Sequence, residues 1–320
     1  MKFDTLIIGG GLAGLTCGIR LQKNGVKCAI VSTGQSALHF SSGSFDLLNE
    51  LADGTKVDNP VAAADKVSAN HPYAKLGDNF AYYVREAKQQ FLDCGIEVNG
   101  DAEHNHLRIT PMGTLKPTWL TFSDFTPLSS ANDIAGKKIL VVNMAGFLDF
   151  NTKFVADSFE KYGAECRISS INLPELERLR ISPTEMRSTN IARVLENEKT
   201  FEALILELTG KISDFDIVAL PAVFGLSSAA SVKKLKESLD IPVWLIPTMP
   251  PSVPGIRAQQ QLRRSFEELG GVYMLGDTVV KADFSGNKVQ AVYSVNHGDI
   301  SFVAENFILA SGSYFSNGLV

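Results

Sequence analysis

Three glycines near the start of the chain have the spacing of a phosphate-binding turn. Gly9, Gly11 and Gly14 follow the apolar run 5–8 and precede apolar residues that recur at helical spacing. In such a strand–turn–helix unit the first glycine permits the turn, the second lets a phosphate approach, and the third allows helix and strand to pack closely. The alternative is a structural turn without a ligand. The predicted cofactor contacts are Gly9, Gly10, Gly11, Leu12, Ala13 and Gly14.

The residues at positions 32–34 indicate which nucleotide the glycine turn would bind. A dinucleotide site usually has an acid about 20 residues beyond the glycines, where it binds the adenosine ribose. Ser32 and Thr33 stand there instead, followed by Gly34. A hydroxyl lacks the charge-assisted, two-point contact of a carboxylate. Two interpretations follow: FAD or NAD with a weaker ribose contact, or FMN, which has a phosphate but no adenosine. The sequence favours FMN.

Two further loops consist of small residues that a cofactor can approach closely. Ser41, Ser42 and Gly43 supply hydroxyl and backbone N–H groups suited to the phosphate and ribityl chain of a flavin, although an ordinary surface turn has the same composition. Ser311 and Gly312 follow the last apolar run, 307–310. Together with the glycine turn, they indicate a flavin-binding domain assembled from both ends of the chain.

The elements that position these residues follow an alternating strand and helix pattern. The opening strand, turn, helix and second strand form a βαβ unit with buried parallel strands. We predict a discontinuous flavin-binding domain, 1–55 and 250–320, around an inserted α/β domain, 56–249. The insert has apolar runs at 139–142, 215–220 and 243–246, with helical stretches at 82–92, 151–162 and 228–239. A helix opening at Gly255 then leads to a predicted β-meander at 272–275, 279–282, 289–293 and 307–310.

Composition and charge narrow the class of protein. Hydrophobic residues make up 45% of the 320 and charged residues 20%, which is typical of a compact folded chain. The net charge of −5, with scattered basic residues, argues against a nucleic-acid partner. The N-terminus resembles neither a signal nor a transit peptide, and Pro221 and Gly225 interrupt the longest uncharged stretch, so we expect no direct membrane span. The four cysteines are widely separated, and no metal site is expected.

Four segments carry a resemblance to a known family. They are Asp4–Leu15 with its glycine turn, Gly34–Ser44, the run Pro250-Pro-Ser-Val-Pro-Gly-Ile-Arg, and Leu309-Ala-Ser-Gly-Ser-Tyr-Phe-Ser-Asn-Gly-Leu. The chain resembles the B subunit of anaerobic glycerol-3-phosphate dehydrogenase from end to end. The resemblance implies an FMN-bearing subunit that works with an FAD-bearing A subunit and an iron–sulfur C subunit. It also implies a cytoplasmic location on the inner face of the cell membrane, held there by a partner subunit.

The resemblance implies a reaction as well as an assembly. Members of the family oxidise sn-glycerol 3-phosphate to dihydroxyacetone phosphate and pass electrons to quinone, with fumarate or nitrate as the terminal acceptor. The fold class expected is α/β, a glutathione-reductase-type (Rossmann-like) FAD/NAD(P)-binding domain with an inserted α/β domain. Two alternatives remain: a non-catalytic electron-transfer or docking subunit, and a soluble FAD- or NAD-dependent oxidoreductase of another substrate.

Two residues are candidates for the chemistry that this reaction requires. Oxidation of a secondary alcohol needs a base for the hydroxyl proton, and His39 is the one histidine in a loop expected to face the cofactor. Its alternative role is a hydrogen bond to loop backbone. Arg257, near a helix start, could bind the substrate phosphate with its guanidinium and the helix dipole, or be a solvated helix residue.

The last residues carry a further expectation. Gly318, Leu319 and Val320 form an apolar end with no helix, cap or charge after them, whereas the family continues beyond this point. We therefore expect the 320 residues to be a fragment of a longer chain, which by itself binds flavin weakly or not at all.

Overall fold

The structure, a computed structural model, describes residues 1–182 and 184–313. The apolar end at 318–320 lies outside the described residues. Contacts divide the chain into two compact units. The first contains residues 1–40 and the described residues from 258 onward, and the second contains residues 41–257. The first unit is therefore assembled from separate stretches of sequence, between which the second is inserted.

The described residues form strands and helices in the following order. The strands are β1 (Lys2–Ile8), β2 (Cys28–Ser32), β3 (Ser44–Phe45), β4 (Val98–Asn99), β5 (His106–Ile109), β6 (Leu115–Thr118), β7 (Leu120–Phe122), β8 (Lys138–Met144), β9 (Glu165–Ile171), β10 (Ile217–Pro221), β11 (Val243–Ile246), β12 (Val272–Leu275), β13 (Val279–Ser285), β14 (Lys288–Ser294) and β15 (Phe302–Leu309). The helices are α1 (Leu12–Lys23), α2 (Pro72–Leu76), α3 (Asn79–Asp93), α4 (Thr152–Lys161), α5 (Pro174–Arg180), α6 (Ser188–Leu195), α7 (Glu198–Thr209), α8 (Ala230–Glu237) and α9 (Val253–Glu268).

The first unit is built on a six-stranded sheet in the order β12-β2-β1-β15-β14-β13. Strand β1 pairs in parallel with both β2 and β15, so that Leu6 lies opposite Ala29 on one side and Phe307 on the other. Leu6 and Ala29 are fully buried in the core of this sheet, as is typical of parallel strands, whose faces are covered by other elements. The predicted opening βαβ unit is confirmed.

The predicted β-meander is wrong at its first strand. Strand β12 pairs in parallel with β2, with Tyr273 opposite Ile30, and does not fold back onto β13. The turn after β12 is held by β2 itself, because the backbone N–H groups of Gly276 and Asp277 both donate to the carbonyl of Ser32, at 2.8 and 3.1 Å. Strands β13, β14 and β15 are the antiparallel part.

The second unit has its own α/β core. Four parallel strands lie in the order β11-β10-β8-β9, with α4 between β8 and β9 along the chain and α8 between β10 and β11. Strands β8, β10 and β11 are apolar and buried, as Val141, Ala219 and Leu220 show, whereas the edge strand β9 is largely exposed. Two small antiparallel sheets, β3-β7-β4 and β5-β6, complete the unit. The α/β class predicted for the chain is confirmed.

Membrane-spanning helices and clustered metal ligands are both absent from the described part of the chain. None of its helices combines the length and apolar character needed to cross a bilayer. No group of three or more His, Cys, Asp or Glu side chains lies close enough together there to hold a metal ion.

Candidate functional site

The turn after β1 requires glycine at the first position of the motif. Gly9 has φ +116°, a conformation that other residues rarely adopt, and its N–H donates to the carbonyl of Val31 at 2.8 Å. A β-carbon at Gly9 would lie 2.2 Å from the carbonyl oxygen of Ala310 and 2.8 Å from the backbone nitrogen of Ser311. The structure therefore brings the predicted residue Ser311 against the glycine turn, with Gly312 following at φ +99°.

The third glycine of the motif lets α1 pack directly on the turn. A β-carbon at Gly14 would lie 1.9 Å from the carbonyl oxygen of Gly9, which is far inside van der Waals contact. Gly14 and Leu15 are buried. The backbone geometry of this turn therefore depends on glycine at positions 9 and 14.

Gly11 differs from its neighbours because the space around it is open. A β-carbon there would meet one heavy-atom neighbour within 4 Å, the β-carbon of Ser36 at 3.4 Å. Gly11 is the N-cap of α1 and offers no side-chain acceptor to the first-turn N–H groups. Gly11 and Leu12 are half-buried and Ala13 is exposed. Exposed N–H groups at the positive end of a helix dipole bind anions, so this end of α1 fits a cofactor phosphate.

The end of β2 is already engaged by the protein. Ser32 is buried, and its hydroxyl donates to the carbonyl of Gly34 at 3.1 Å. The Thr33 and Thr278 hydroxyl oxygens lie 3.2 Å apart, as hydrogen-bond partners. Gly34 has no heavy atom within 4 Å of a β-carbon position. At the place where a dinucleotide site has its ribose-binding acid, this chain therefore has two hydroxyl groups that form hydrogen bonds within the chain.

Tyr273 is a residue of this site that the sequence did not reveal. Its hydroxyl donates to the carbonyl of Gly10 at 3.0 Å, and the guanidinium of Arg263 lies 4.8 Å from the centre of its ring. A β-carbon at Gly10 would lie 2.1 Å from that hydroxyl and 2.6 Å from the hydroxyl of Ser32. The motif does not require glycine at position 10, but the Tyr273 hydroxyl leaves no room there for a side chain.

His39 lies in a short 3₁₀ turn, Ala37–Phe40, and is half-buried. Its Nδ1 atom is buried without a hydrogen-bond partner. Burial lowers the pKa of His39, while a hydrogen bond with Gln259 opposes that shift. Gln259 also accepts from the Ser36 hydroxyl at 2.6 Å, which anchors the loop to α9. The sequence did not single out Gln259, because the contact joins residues 223 positions apart.

Ser41, Ser42 and Gly43 belong to the second unit. The Ser41 hydroxyl accepts from the N–H of Gly43 at 3.0 Å and closes a tight turn. Gly43 has φ +83°, and a β-carbon there would lie 2.0 Å from the ring of Phe125. The turn is therefore packed closely against its own unit.

Arg257 also belongs to the second unit and is buried there. Its side chain is 5% exposed and donates to the carboxylate of Asp124, which is 3% exposed, and to the carbonyl of Gly225. Helix α9 begins at Val253 and not at Gly255, because the Ser252 hydroxyl accepts from the N–H of Gly255 at 3.2 Å. Two nitrogens of the Arg257 guanidinium are thus engaged by the protein.

Comparisons with known proteins identify relatives of the whole chain. Residues 4–320 match the family model described as an FAD binding domain. The B subunit of anaerobic glycerol-3-phosphate dehydrogenase from Yersinia enterocolitica serotype O:8 is 44% identical over 325 residues, covering 100% of this chain and 77% of the relative. The protein of the same name from Actinobacillus pleuropneumoniae serotype 5b is 39% identical over 328 residues, with the same two coverages.

Solved structures give weaker similarities. A 3-ketosteroid delta1-dehydrogenase from Sterolibacterium denitrificans has a TM-score of 0.41 and 12% identity, covering 97% of this chain and 48% of that protein. A glycine oxidase from Bacillus cereus has a TM-score of 0.34 and 15% identity, covering 98% of this chain and 57% of that protein. This chain spans about half the length of each.

Proposed function

This chain belongs to the B subunit family of anaerobic glycerol-3-phosphate dehydrogenases, and we propose that it takes part, as a flavin subunit, in the oxidation of sn-glycerol 3-phosphate to dihydroxyacetone phosphate. The observation that carries the proposal is the open end of α1 at Gly11, built by the tight packing at Gly9 and Gly14 within a chain whose relatives bear that name. A backbone shaped to admit a phosphate is what a flavin nucleotide requires.

The proposal extends to the assembly in which the chain works. It acts beside an FAD-bearing A subunit and an iron–sulfur C subunit that holds the complex on the inner face of the cell membrane. Electrons pass to quinone, with fumarate or nitrate as terminal acceptor. The relatives are named as one lettered subunit of a dehydrogenase, which supports the existence of partner subunits.

We propose FMN as the cofactor, with FAD as the alternative that the name of the matching family model favours. Ser32 and Thr33 offer no carboxylate to an adenosine ribose, and their hydroxyl groups already bond within the chain. The hydroxyl of Tyr273 occupies the space between Gly10 and Ser32, beside the end of β2. A mononucleotide needs only the phosphate site at the end of α1.

The cofactor choice is tested by releasing the flavin from purified protein and separating it by chromatography. We expect FMN alone. In a second measurement, Tyr273→Ala should raise the affinity for FAD relative to FMN, and Tyr273→Phe, which keeps the ring, should change it less. Recovery of FAD alone from the wild type would contradict the FMN proposal, and leave the flavin site itself in place.

Oxidation of the substrate alcohol needs a hydride acceptor and a group that accepts the hydroxyl proton. A flavin, when bound, accepts a hydride from the carbon that bears the substrate hydroxyl. His39 accepts the hydroxyl proton: burial lowers its pKa and so favours the neutral imidazole, and its Nδ1 has no hydrogen-bond partner among the described residues. Arg257, the residue that the sequence suggests for the substrate phosphate, is paired with Asp124 and Gly225, so its positive charge is already compensated within the second unit.

A second candidate function is that of an electron-transfer subunit without its own substrate chemistry. The observation in its favour is the buried pairing of Arg257 with Asp124, which leaves that guanidinium less available to a substrate. The two functions are separated by a steady-state assay of the isolated chain with glycerol 3-phosphate and a dye acceptor, with and without the A subunit. Turnover by the isolated chain supports the catalytic function, and turnover that requires the A subunit supports the relay.

A further inference from the structure

The hairpin formed by β5 and β6 in the second unit has one strongly polar face. The strands are antiparallel, with His106 opposite Thr118 and Arg108 opposite Lys116. Directly opposite residues and residues two apart project from the same side of a hairpin. These four side chains therefore share one face, which includes the basic side chains of Arg108 and Lys116.

Arg108 is buried on this face without enough acceptors. The residue is 8% exposed, and within the described part of the chain the Nε and Nη1 atoms of its guanidinium have no hydrogen-bond partner. Asp46 interacts electrostatically with Arg108, but its Oδ1 accepts from Thr118 at 2.8 Å and its Oδ2 from Lys116. Burial lowers the pKa of Arg108, and Asp46 only partly offsets the effect. One carboxylate thus faces two cations.

A histidine on the same face has a further buried nitrogen atom. The Nδ1 of His106 has no hydrogen-bond partner among the described residues, and its other ring nitrogen lies 3.1 Å from the Thr121 hydroxyl. Each ring nitrogen donates or accepts according to the tautomer. The unpaired donors of Arg108 and the excess positive charge on this face are complementary to an anion.

We infer that the face formed by His106, Arg108 and Lys116 binds the phosphate of a phosphomonoester. A phosphate dianion supplies both the negative charge and the several acceptor oxygens that Arg108 requires. The inference rests on the proposed function, in which the substrate is a phosphomonoester, and it assigns the recognition of the substrate phosphate to Arg108.

Calorimetric titration of the flavin-loaded chain tests the inference with glycerol 3-phosphate, inorganic phosphate and glycerol as separate probes. Wild type should bind the two phosphates and not glycerol. Arg108→Met should weaken binding of glycerol 3-phosphate by about 10- to 100-fold, the value of hydrogen bonds to a charged group. Arg108→Lys should retain part of the affinity. The matched control is Arg85→Met, because Arg85 is an exposed arginine of the same unit that pairs with Glu103 at 2.9 Å.

Thermal unfolding without ligand separates a binding role from a structural one. Arg108→Met removes an unsatisfied buried charge, so its midpoint should equal or exceed that of the wild type. A lower midpoint would mean that the protein satisfies Arg108 by itself and would overturn the inference. Unchanged affinity for glycerol 3-phosphate would overturn it too, as would weaker binding of FMN relative to riboflavin, which would assign Arg108 to the cofactor phosphate.

The outcomes distinguish this inference from the proposed function. Phosphate binding that depends on Arg108, without oxidation of glycerol 3-phosphate by the chain or its complex, supports the anion site and contradicts the function. Oxidation with the same KM in wild type and Arg108→Met supports the function and overturns the site.

Discussion

Two buried charges, Asp277 in the first unit and Arg108 in the second, differ in how far the protein satisfies them. In the first unit Asp277 is 2% exposed and fully satisfied: its Oδ1 accepts from the backbone of Thr278 and Asn296, and its Oδ2 lies 2.6 Å from the Ser294 hydroxyl and 2.8 Å from His297 Nδ1. In the second unit Arg108 is 8% exposed and has two nitrogens without partners. A buried charge that its own chain satisfies stabilises the fold, whereas an unsatisfied one costs stability and is characteristic of binding sites.

The largest effect on stability is expected at Arg257, a buried arginine in the same unit as Arg108 that has a carboxylate partner. Arg257 is equally buried but is paired with Asp124. Asp124→Ala leaves that guanidinium unpaired, so the free energy of unfolding should fall by about 3–5 kcal/mol. Denaturant unfolding measures the change. The double variant Asp124→Ala/Arg257→Met should recover most of the loss, because it removes the stranded charge as well.

The free energy of unfolding of Asp124→Ala shows whether a buried arginine with a carboxylate partner affects stability differently from one without. Asp124→Ala should destabilise and Arg108→Met should not. A loss below about 1 kcal/mol for Asp124→Ala, within the range of ordinary substitutions, would remove the contrast.

In the first unit the next largest effect is expected from the backbone at the glycine turn. Gly14→Ala places a β-carbon 1.9 Å from the carbonyl of Gly9, so helix and turn must separate. We expect a loss of about 2–3 kcal/mol in unfolding free energy, typical of an overpacked site. Gly34→Ala is the control, because no atom lies within 4 Å of that β-carbon. Equal stability of the two variants would show that the turn can relax.

Gly11→Val should affect the cofactor and not the fold. Gly11 has φ −83°, which any residue adopts, and its surroundings are open apart from Ser36. A valine side chain stands where the phosphate approaches, so flavin affinity should fall at least about 10-fold, or 1.4 kcal/mol. Absorbance of the purified protein measures the flavin, and circular dichroism checks the fold. Full flavin content in this variant would contradict the site.

The glycine turn could be predicted from the sequence because its function depends on backbone geometry that local residue types determine. Gly9, Gly11 and Gly14 follow a buried strand at fixed offsets, and the structure explains each position by a specific contact or by its absence. The same local reasoning identified β1, α1 and β2.

The contacts that the sequence did not reveal join residues far apart along the chain. Tyr273 reaches Gly10 only because β12 pairs with β2, and the sequence pattern was compatible with the meander that the structure does not form. Arg108 belongs to no sequence motif. Two nitrogens of its guanidinium lack hydrogen-bond partners in the described part of the chain, because the Asp46 carboxylate already accepts hydrogen bonds from Lys116 and Thr118. Strand order and the supply of hydrogen-bond partners are tertiary properties, which periodicity does not encode.

The smallest expected effect is the pH dependence of the satisfied carboxylate, Asp277. Burial opposes its ionisation, but hydrogen bonds from Ser294, Asn296, His297 and Thr278 outweigh burial and hold the pKa of Asp277 below its usual value. A group whose pKa is lower in the folded state stabilises the protein above its unfolded pKa and loses that contribution as the pH falls. The stabilisation should therefore be complete above about pH 4 and decline below it.

Comparison of wild type with Asp277→Asn isolates this contribution, because the amide cannot ionise. At pH 7 the variant should be less stable by about 1 kcal/mol, since it cannot accept all four hydrogen bonds. The difference should shrink as the pH is lowered through about 4 toward about 3, and denaturant unfolding at a series of pH values measures it. A difference that stays constant over that whole range would show that the charge of Asp277 is not what stabilises this turn, and the contrast with Arg108 would then concern hydrogen bonding alone.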